Sequence, residues 1–174
     1  MNMITSPELI DLWTRLHRLF DHTEGTQVEI VIVNVSQDAM RQLLGYLVAN
    51  ASQLSTGFHD LYEREIQPGS VEFAIDRIVT GHLLGILAMH LTVDGYSLPY
   101  MGFVIHDTDF LSLAYEMGVL WSPMGLIALF EFFRIVKWFD PEALIALNPY
   151  QFTMQARSLF ELTLREYLNE KISA

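Results

Sequence analysis

The stretch SPMGLIALFEFFRIVKWFD, residues 122–140, decides the fold that this sequence predicts. Ser122 is a residue type that caps helix N-termini, and Pro123 suits the first helical position, where no N–H is needed. A helix that is apolar almost all round is either buried or spans a membrane. A membrane span needs about 20 apolar residues with few or no charges, whereas this shorter run carries three: Glu131, Arg134 and Lys137. We therefore predict a buried central helix over residues 123–139.

The composition is acidic and rich in hydrophobic residues. The chain has 174 residues, of which 21 are acidic and 10 basic, giving a formal net charge of −11. Hydrophobic residues make up 51% and the mean hydropathy is +0.27, which is high for a chain of this size. The negative field repels nucleic acids and anionic membrane surfaces and favours a basic protein partner. The length predicts a single domain over residues 1–174.

The chain contains no cysteine, which excludes disulfides, thiolate zinc sites and a cysteine nucleophile. The N-terminal sequence MNMITSPELIDLW has no basic segment followed by an apolar one, so we expect no signal peptide. Since lack of cysteine also fits a reducing compartment, we expect a cytoplasmic location.

The first fifty residues predict a helix, a strand and a second helix. Apolar residues follow Ser6-Pro7 at helical spacing and continue to Phe20. The segment Val28–Val35 is rich in β-branched residues and apolar on both faces, which is typical of a strand inside a sheet. Ser36 then caps a helix that reaches Asn50. A strand followed directly by a helix could begin a parallel crossover unit.

Residues 58–106 predict an antiparallel meander. After a polar loop at 51–57, two alternating strands, Phe58–Ile66 and Val71–Val79, flank a Pro-Gly turn. Residues 80–92 fit either a buried strand or a short buried helix. We prefer the strand, because Val93–Tyr96 contains the Asp-Gly pair typical of a hairpin. The chain then returns through Ser97–His106, with Pro99 at an edge or bulge.

After His106 the pattern predicts helices only. They are a helix capped by Asp107 or Thr108 and ended by Gly118, the central helix, a short helix from Asp140-Pro141 and a last helix from Asn148-Pro149. The fold class is therefore α+β. A mixed or antiparallel sheet of about four to five strands is covered by helices, and the C-terminal third is predominantly helical around the central helix.

Two His-Asp dipeptides are candidate metal ligands: His59-Asp60 and His106-Asp107. Metal-dependent phosphohydrolases of the HD type use such a dipeptide because both side chains bind one divalent ion. Those enzymes need further ligands on neighbouring helices, whereas both dipeptides here lie at or near predicted strands. The alternative for the second dipeptide is a strand end followed by a helix cap. His82 and His90 would share a face in either a strand or a helix.

Two pairs of carboxylates are candidate binding residues. Glu63 and Glu65 share one face of a predicted strand, and Glu72 and Asp76 share a face of the next strand. Paired carboxylates can hydrolyse glycosides when both line a cleft, but on an amphipathic strand a solvated face is more typical. No nucleophile elbow, phosphate-binding loop or dinucleotide fingerprint is present. We therefore predict no catalytic residue, no cofactor and no nucleic-acid site.

The strongest functional signal is apolar surface in excess of what one small domain buries. An excess of this kind becomes an exposed patch, and such patches mark interfaces. We predict a non-enzymatic protein of the inhibitor, immunity or adaptor type, steered electrostatically onto a basic partner. A homodimer formed through the helical layer is compatible with that role. The alternatives are a small-molecule-binding protein or metal-dependent enzyme with a His/Asp site between sheet and helices, and a structural subunit of a larger assembly.

Overall fold

The computed structural model describes residues 6–21 and 25–172, with side chains from residue 10 to residue 169 in those ranges. The chain is α+β, as predicted, but its sheet has seven strands in the described part rather than four to five. The elements are α1 Ser6–Leu16, a 3-10 turn His17–Leu19, β1 Gln27–Val33, α2 Gln37–Asn50, β2 Ala51–His59, α3 Val71–Val79, β3 Leu84–Val93, β4 Tyr96–Ser97, β5 Met101–Asp107, β6 Phe110–Glu116, α4 Pro123–Phe139, β7 Leu144–Leu147 and α5 Met154–Ile172.

Six strands follow the order β2-β3-β5-β6-β1-β7, and β4 forms a hairpin with β3. All the pairs are antiparallel, so the parallel crossover unit predicted after β1 is wrong. The strand predicted within residues 80–92 is confirmed as β3. Its hairpin turn is confirmed too, since Asp94 and Gly95 both adopt positive φ, as a type I′ turn requires.

The central helix is confirmed as α4. The Ser122 hydroxyl accepts a hydrogen bond of 3.1 Å from the Gly125 N–H, which caps the helix as expected. Residues 125–133 and Val136 are all buried, and Phe132 meets Phe103 of β5 edge to face with ring centroids 5.5 Å apart. The C-terminal third is mainly helical, as predicted. No helix in the described chain has both the length and the apolarity needed to cross a membrane.

The two faces of the sheet differ. Along β3, alternate residues such as Leu87, Met89 and Leu91 are buried beneath the helices, while Ile86 and His90 point to the other face and are exposed. The outward-facing residues of the central strands are small or apolar and only partly exposed. They include Val31, Val33, Ala88, Gly102, Val104 and Ala114.

Two predictions around residues 51–79 are wrong. The polar segment 51–57 is the first part of β2 rather than a loop. Polar residues are tolerated in this strand because it lies at the edge of the sheet, where residues 52–56 are exposed on both faces. The strand predicted at Phe58–Ile66 ends at His59, and residues 60–70 form a connection. Val71–Val79 is helix α3, not a strand, and Pro68-Gly69 precedes this helix instead of closing a hairpin.

Residues 71–79 form a helix because a serine caps its start and its apolar residues are buried along one side. The Ser70 hydroxyl accepts a hydrogen bond from the Phe73 N–H, which starts α3. Ala74, Ile75, Ile78 and Val79 then fall on one side of the helix and are buried. Ser70 was the local signal that the period-2 interpretation missed.

The prediction that only helices follow His106 is also wrong. Residues 110–116 form β6, because Asp107–Asp109 makes a tight turn that returns the chain beside β5 rather than capping a helix. The segment after Asp140-Pro141 contains β7 instead of a short helix. The last helix exists, but α5 begins at Met154 rather than directly after Asn148-Pro149, and the Thr153 hydroxyl caps it by accepting from the Ala156 N–H.

Candidate functional site

One end of the sheet is strongly acidic. The strand register brings together, at this end, the connections formed by residues 34–38, 60–70, 80–83, 107–109 and 140–143. These connections, which we name the acidic rim, contain one basic residue, Arg64, and eight carboxylates: Asp38, Asp60, Glu63, Glu65, Asp107, Asp109, Asp140 and Glu142. Close carboxylates raise the local negative potential and attract cationic groups from solution.

The opposite end of the sheet carries fewer charges. When adjoining element ends are included, as in the acidic rim, the described residues there are 20–21, 25–26, 94–95, 98–100, 116–122 and 148–153, and they contain three carboxylates, Asp21, Asp94 and Glu116, and no basic residue. Asp94 is moreover bound to Arg134 at 2.8 Å. In the described part of the chain, negative charge is therefore denser at the acidic rim than at the other end of the sheet.

Within the acidic rim, Asp60 organises a tight turn. Its Oδ1 accepts hydrogen bonds from the Tyr62 and Arg64 N–H groups at 2.9 and 3.0 Å, and its Oδ2 accepts 2.8 Å from the Arg64 Nε. The Arg64 side chain holds the pKa of Asp60 below its ordinary value, and the backbone N–H donors add to the effect. Residues 60–65, the Asp60 turn, are thus held in one conformation by their own side chains.

The Asp60 turn presents two apolar side chains to solvent. Leu61 is 62% exposed and Tyr62 is 80% exposed, and the Arg64 guanidinium lies 5.3 Å from the centre of the Tyr62 ring. Glu63 adopts φ +60°, a left-handed conformation that costs a non-glycine residue about 1 kcal/mol. Strained, pre-organised turns of this kind cluster at binding sites. The sequence analysis did not include Leu61 and Tyr62 among the candidate binding residues.

Asp140 fixes a second part of the acidic rim. Its Oδ2 accepts 2.8 Å from the Ser36 N–H and its Oδ1 accepts 3.0 Å from the Glu142 N–H. The Ser36 hydrogen bond, above all, lowers the pKa of Asp140. One side chain therefore joins the start of α2 to the connection before β7.

The structure separates the four carboxylates predicted to bind. Glu63 and Glu65 lie in the Asp60 turn, so the shared strand face predicted for them does not exist. Glu72 and Asp76 lie one helical turn apart on α3 instead of on a strand, and Asp76 forms an ion pair with Arg41 of α2. The two glutamates of the Asp60 turn are the members of this set that belong to the acidic rim.

The histidines do not converge. His59 lies on β2 and pairs with Leu84 of β3, and His106 lies on β5, which pairs with the other side of β3, so strand β3 separates the two histidines. His82 precedes β3 and contacts the Thr80 hydroxyl at 3.0 Å, while His90 lies beside Tyr100. Across the described residues, no group of three histidines and carboxylates could hold a metal ion. His22 lies outside that part of the chain.

His106 makes one contact that resembles a catalytic pair. Its Nε2 lies 2.9 Å from the Ser112 Oγ, and its ring stacks on Phe110 with centroids 4.5 Å apart. Ser112 is fully buried on the outward face of β6. A substrate therefore has no access to the Ser112 hydroxyl in this arrangement, and the pair serves to satisfy a buried polar group.

Comparison with known proteins gives little. No protein-family model matches the chain, and no curated protein matches it. One solved structure is similar in part: a chain from the complex between the toxic C-terminal tip of CdiA from Pseudomonas aeruginosa and an immune protein. The similarity has a TM-score of 0.48 at 14% identity and covers 71% of this chain and 88% of that one. A similarity of this size establishes neither a shared fold nor a shared function.

Proposed function

We propose that this chain is a non-enzymatic binding protein whose acidic rim docks onto a basic protein. The observation that carries the proposal is the charge distribution: eight carboxylates and one arginine at one end of the sheet, against three carboxylates among the described residues of the other. Complementary charge steers two proteins together and raises the association rate. A partner that depends on a cationic site, such as an enzyme acting on nucleic acid, would be blocked by this contact.

The apolar part of the contact comes from the Asp60 turn. Tyrosine is enriched among the interface residues that dominate binding energy, since its ring buries a large area with few rotatable bonds. Tyr62 projects from a turn that Asp60 and Arg64 already fix, so little conformational entropy is lost when it docks. The role is that of an inhibitor, immunity protein or adaptor, according to the partner.

The test is affinity purification from the native cell, with the intact chain as bait, followed by identification and kinetic analysis of what binds. We expect a basic partner whose association rate falls at least about tenfold between low and high salt. A variant with Glu63→Gln, Glu65→Gln, Asp107→Asn and Asp109→Asn should lose most of that rate.

The matched control removes four carboxylates outside the acidic rim: Asp11→Asn, Asp21→Asn, Glu116→Gln and Glu161→Gln. Both variants change the net charge by the same amount, so a difference between them reports position rather than total charge. Equal loss in the two variants, or association that does not depend on salt, would contradict the proposal. Tyr62→Ala should accelerate dissociation while leaving the salt dependence of association unchanged.

A further inference from the structure

A groove lined by basic residues, opposite in charge to the acidic rim, lies along the lateral edge of the sheet that β7 forms. It has a volume of about 940 Å3 and lies between the C-terminal half of α4 and the second half of α5, with β7 at its floor. Trp138, although part of the apolar central helix, is 80% exposed there, and Leu144 is 54% exposed. The apolar lining residues are Trp138, Pro141, Leu144, Ile145, Leu164 and Leu168.

The floor of this groove is an open sheet edge. β7 is the last strand in the order, and within the described chain it pairs with β1 alone. The Asn148 N–H donates to the Glu29 carbonyl at 3.0 Å, which marks residues 29 and 148 as a hydrogen-bonded pair. Since such pairs alternate along an antiparallel ladder, Ala146 and Leu144 bond to β1. The N–H and C=O groups of Ile145 and Leu147 therefore point away from β1.

Two cations without an ion-pair partner among the described residues lie at the rim of the groove, although the chain as a whole is acidic. Three of the ten basic residues line the groove, Arg134, Lys137 and Arg165, together with one acidic residue, Glu161. Glu131 and Asp94 neutralise Arg134, whereas the Lys137 ammonium donates to the Pro141 carbonyl at 2.8 Å. Arg165 makes no salt bridge to another described residue. An incoming carboxylate can therefore bind to it.

Charge and hydrogen bonding together select one occupant. A second copy docked edge to edge would bring Lys137 and Arg165 of each copy to the same junction. A small apolar ligand would leave the outward N–H and C=O groups of β7 without partners. An extended peptide satisfies both, since its backbone can pair with the edge while alternate side chains enter the groove and meet the cations.

We propose that this groove binds an extended acidic segment of a partner protein as an additional strand beside β7. Every second side chain of the segment enters the groove, where the apolar ones lie against Trp138 and Leu168 and the carboxylates lie beside Arg165 and Lys137. This site goes beyond the proposed function, because it has the opposite charge and lies at a different margin of the sheet. It adjoins the acidic rim only at Pro141.

The probe, called the glutamate peptide, is the acetylated peptide Thr-Val-Thr-Glu-Thr-Val-Thr-Glu, whose valines and glutamates share one face of a strand. The lysine peptide, with lysine in place of both glutamates, is its matched control. We expect the glutamate peptide to shift the tryptophan emission to shorter wavelength as Trp138 is covered, and Trp138→Phe should remove that shift. Arg165→Glu should weaken binding about tenfold. Arg18→Glu, an equal charge reversal at another exposed position, should leave binding unchanged.

Amide hydrogen exchange tests whether the peptide adds as a strand. Ile145 and Leu147 should gain protection when the glutamate peptide binds, whereas Leu144 and Ala146, already bonded to β1, should change little. Binding without this protection, or equal binding of the lysine peptide, would overturn the proposal. So would an absence of binding, or protection that arises from dimer formation without peptide. The four-carboxylate acidic-rim variant should bind the peptide normally, so failure of one proposal is distinguishable from failure of the other.

Discussion

Two carboxylates of this chain have almost the same local chemistry and different roles. Glu131 of α4 and Asp60 after β2 are both nearly buried, with side chains 6% and 8% exposed. Each is bound by an arginine that follows three or four residues later, and the shortest N–O distance is 2.6 Å in both pairs. The difference lies in the other groups that each carboxylate contacts.

Glu131 joins distant parts of the fold. It accepts a hydrogen bond from the Tyr167 hydroxyl of α5, and its partner Arg134 also binds Asp94 in the β3–β4 turn. Asp60 has partners only within four residues of itself. The same type of ion pair therefore joins distant elements in one place and holds a single exposed turn in the other.

The largest effect is expected from Glu131→Ala. Removing one partner of a buried ion pair costs roughly 3–5 kcal/mol because the remaining charge is left uncompensated. Arg134 keeps Asp94 and is partly exposed, so we expect a loss of about 3 kcal/mol in the free energy of unfolding. Urea unfolding followed by tryptophan fluorescence measures it. Glu161→Ala on the exposed side of α5 is the control, and a loss no larger than that of the control would contradict the role given to Glu131.

Tyr167→Phe should have the second largest effect. It removes the hydroxyl that donates to the Glu131 carboxylate, and hydrogen bonds to charged groups contribute roughly 1.5–3 kcal/mol. We expect a loss of about 2 kcal/mol, measured by the same urea titration. Tyr150→Phe, at an exposed tyrosine, is the control. If the loss in a Glu131→Ala background equals the loss in the natural chain, the two residues are not coupled.

Ser122→Ala tests the N-terminal cap of the helix that carries Glu131. Loss of a cap hydrogen bond costs about 1 kcal/mol, and the Ser122 hydroxyl makes such a bond to the Gly125 N–H. Thermal unfolding should therefore show a clear fall in melting temperature for Ser122→Ala. Ser158→Ala, at an exposed serine within α5, is the control and should lower it less. The reverse order would contradict this assignment.

Asp60→Asn should have the smallest effect on stability and a visible local effect. The urea midpoint should stay within error, while the Tyr62 and Arg64 amides exchange faster and binding of a basic partner weakens.

Because the pKa of Asp60 is lowered in the folded chain, the Asp60 turn should be intact above the ordinary aspartate pKa of about 3.9. It should loosen as the pH falls through the lowered pKa. NMR shifts of these two amides between pH 2 and 6 measure this, with Asp38→Asn as the control. A large fall in the urea midpoint would remove the contrast with Glu131.

Much of the fold could be predicted because several segments carry local and sufficient signals. The central helix has a cap, a proline and seventeen residues of helical character, and the Asp94-Gly95 turn has the backbone preference of a hairpin. Short apolar runs lacked a local signal of this kind. Residues 110–116 fit a helix or a strand equally well in isolation, and they form a strand because β5 and β1 lie on either side of them.

The candidate site was predictable in composition and unpredictable in arrangement. The negative charge follows from the sequence, and the sequence also nominated Glu63 and Glu65 as candidate binding residues. Their grouping with Asp107, Asp109 and Glu142 depends on which ends of which strands lie side by side, and sequence order does not give that. Leu61 and Tyr62 had one local signal, an aspartate followed by two large apolar residues among acids. In a predicted strand they looked like ordinary alternation.

Four sites have a potential capping residue followed by proline, and they separate what the sequence determined from what the tertiary structure decided. They are Ser6-Pro7, Ser122-Pro123, Asp140-Pro141 and Asn148-Pro149. The sequence alone determined that each marks a change of chain direction, because proline fixes φ and the preceding side chain can bind a backbone N–H. At the two serine sites a helix begins there. Asp140 instead accepts from Ser36, and Asn148 bonds to Glu29. Both contact partners are more than 100 residues away in sequence. Tertiary structure alone therefore decided that these two sites flank strand β7 instead of starting helices.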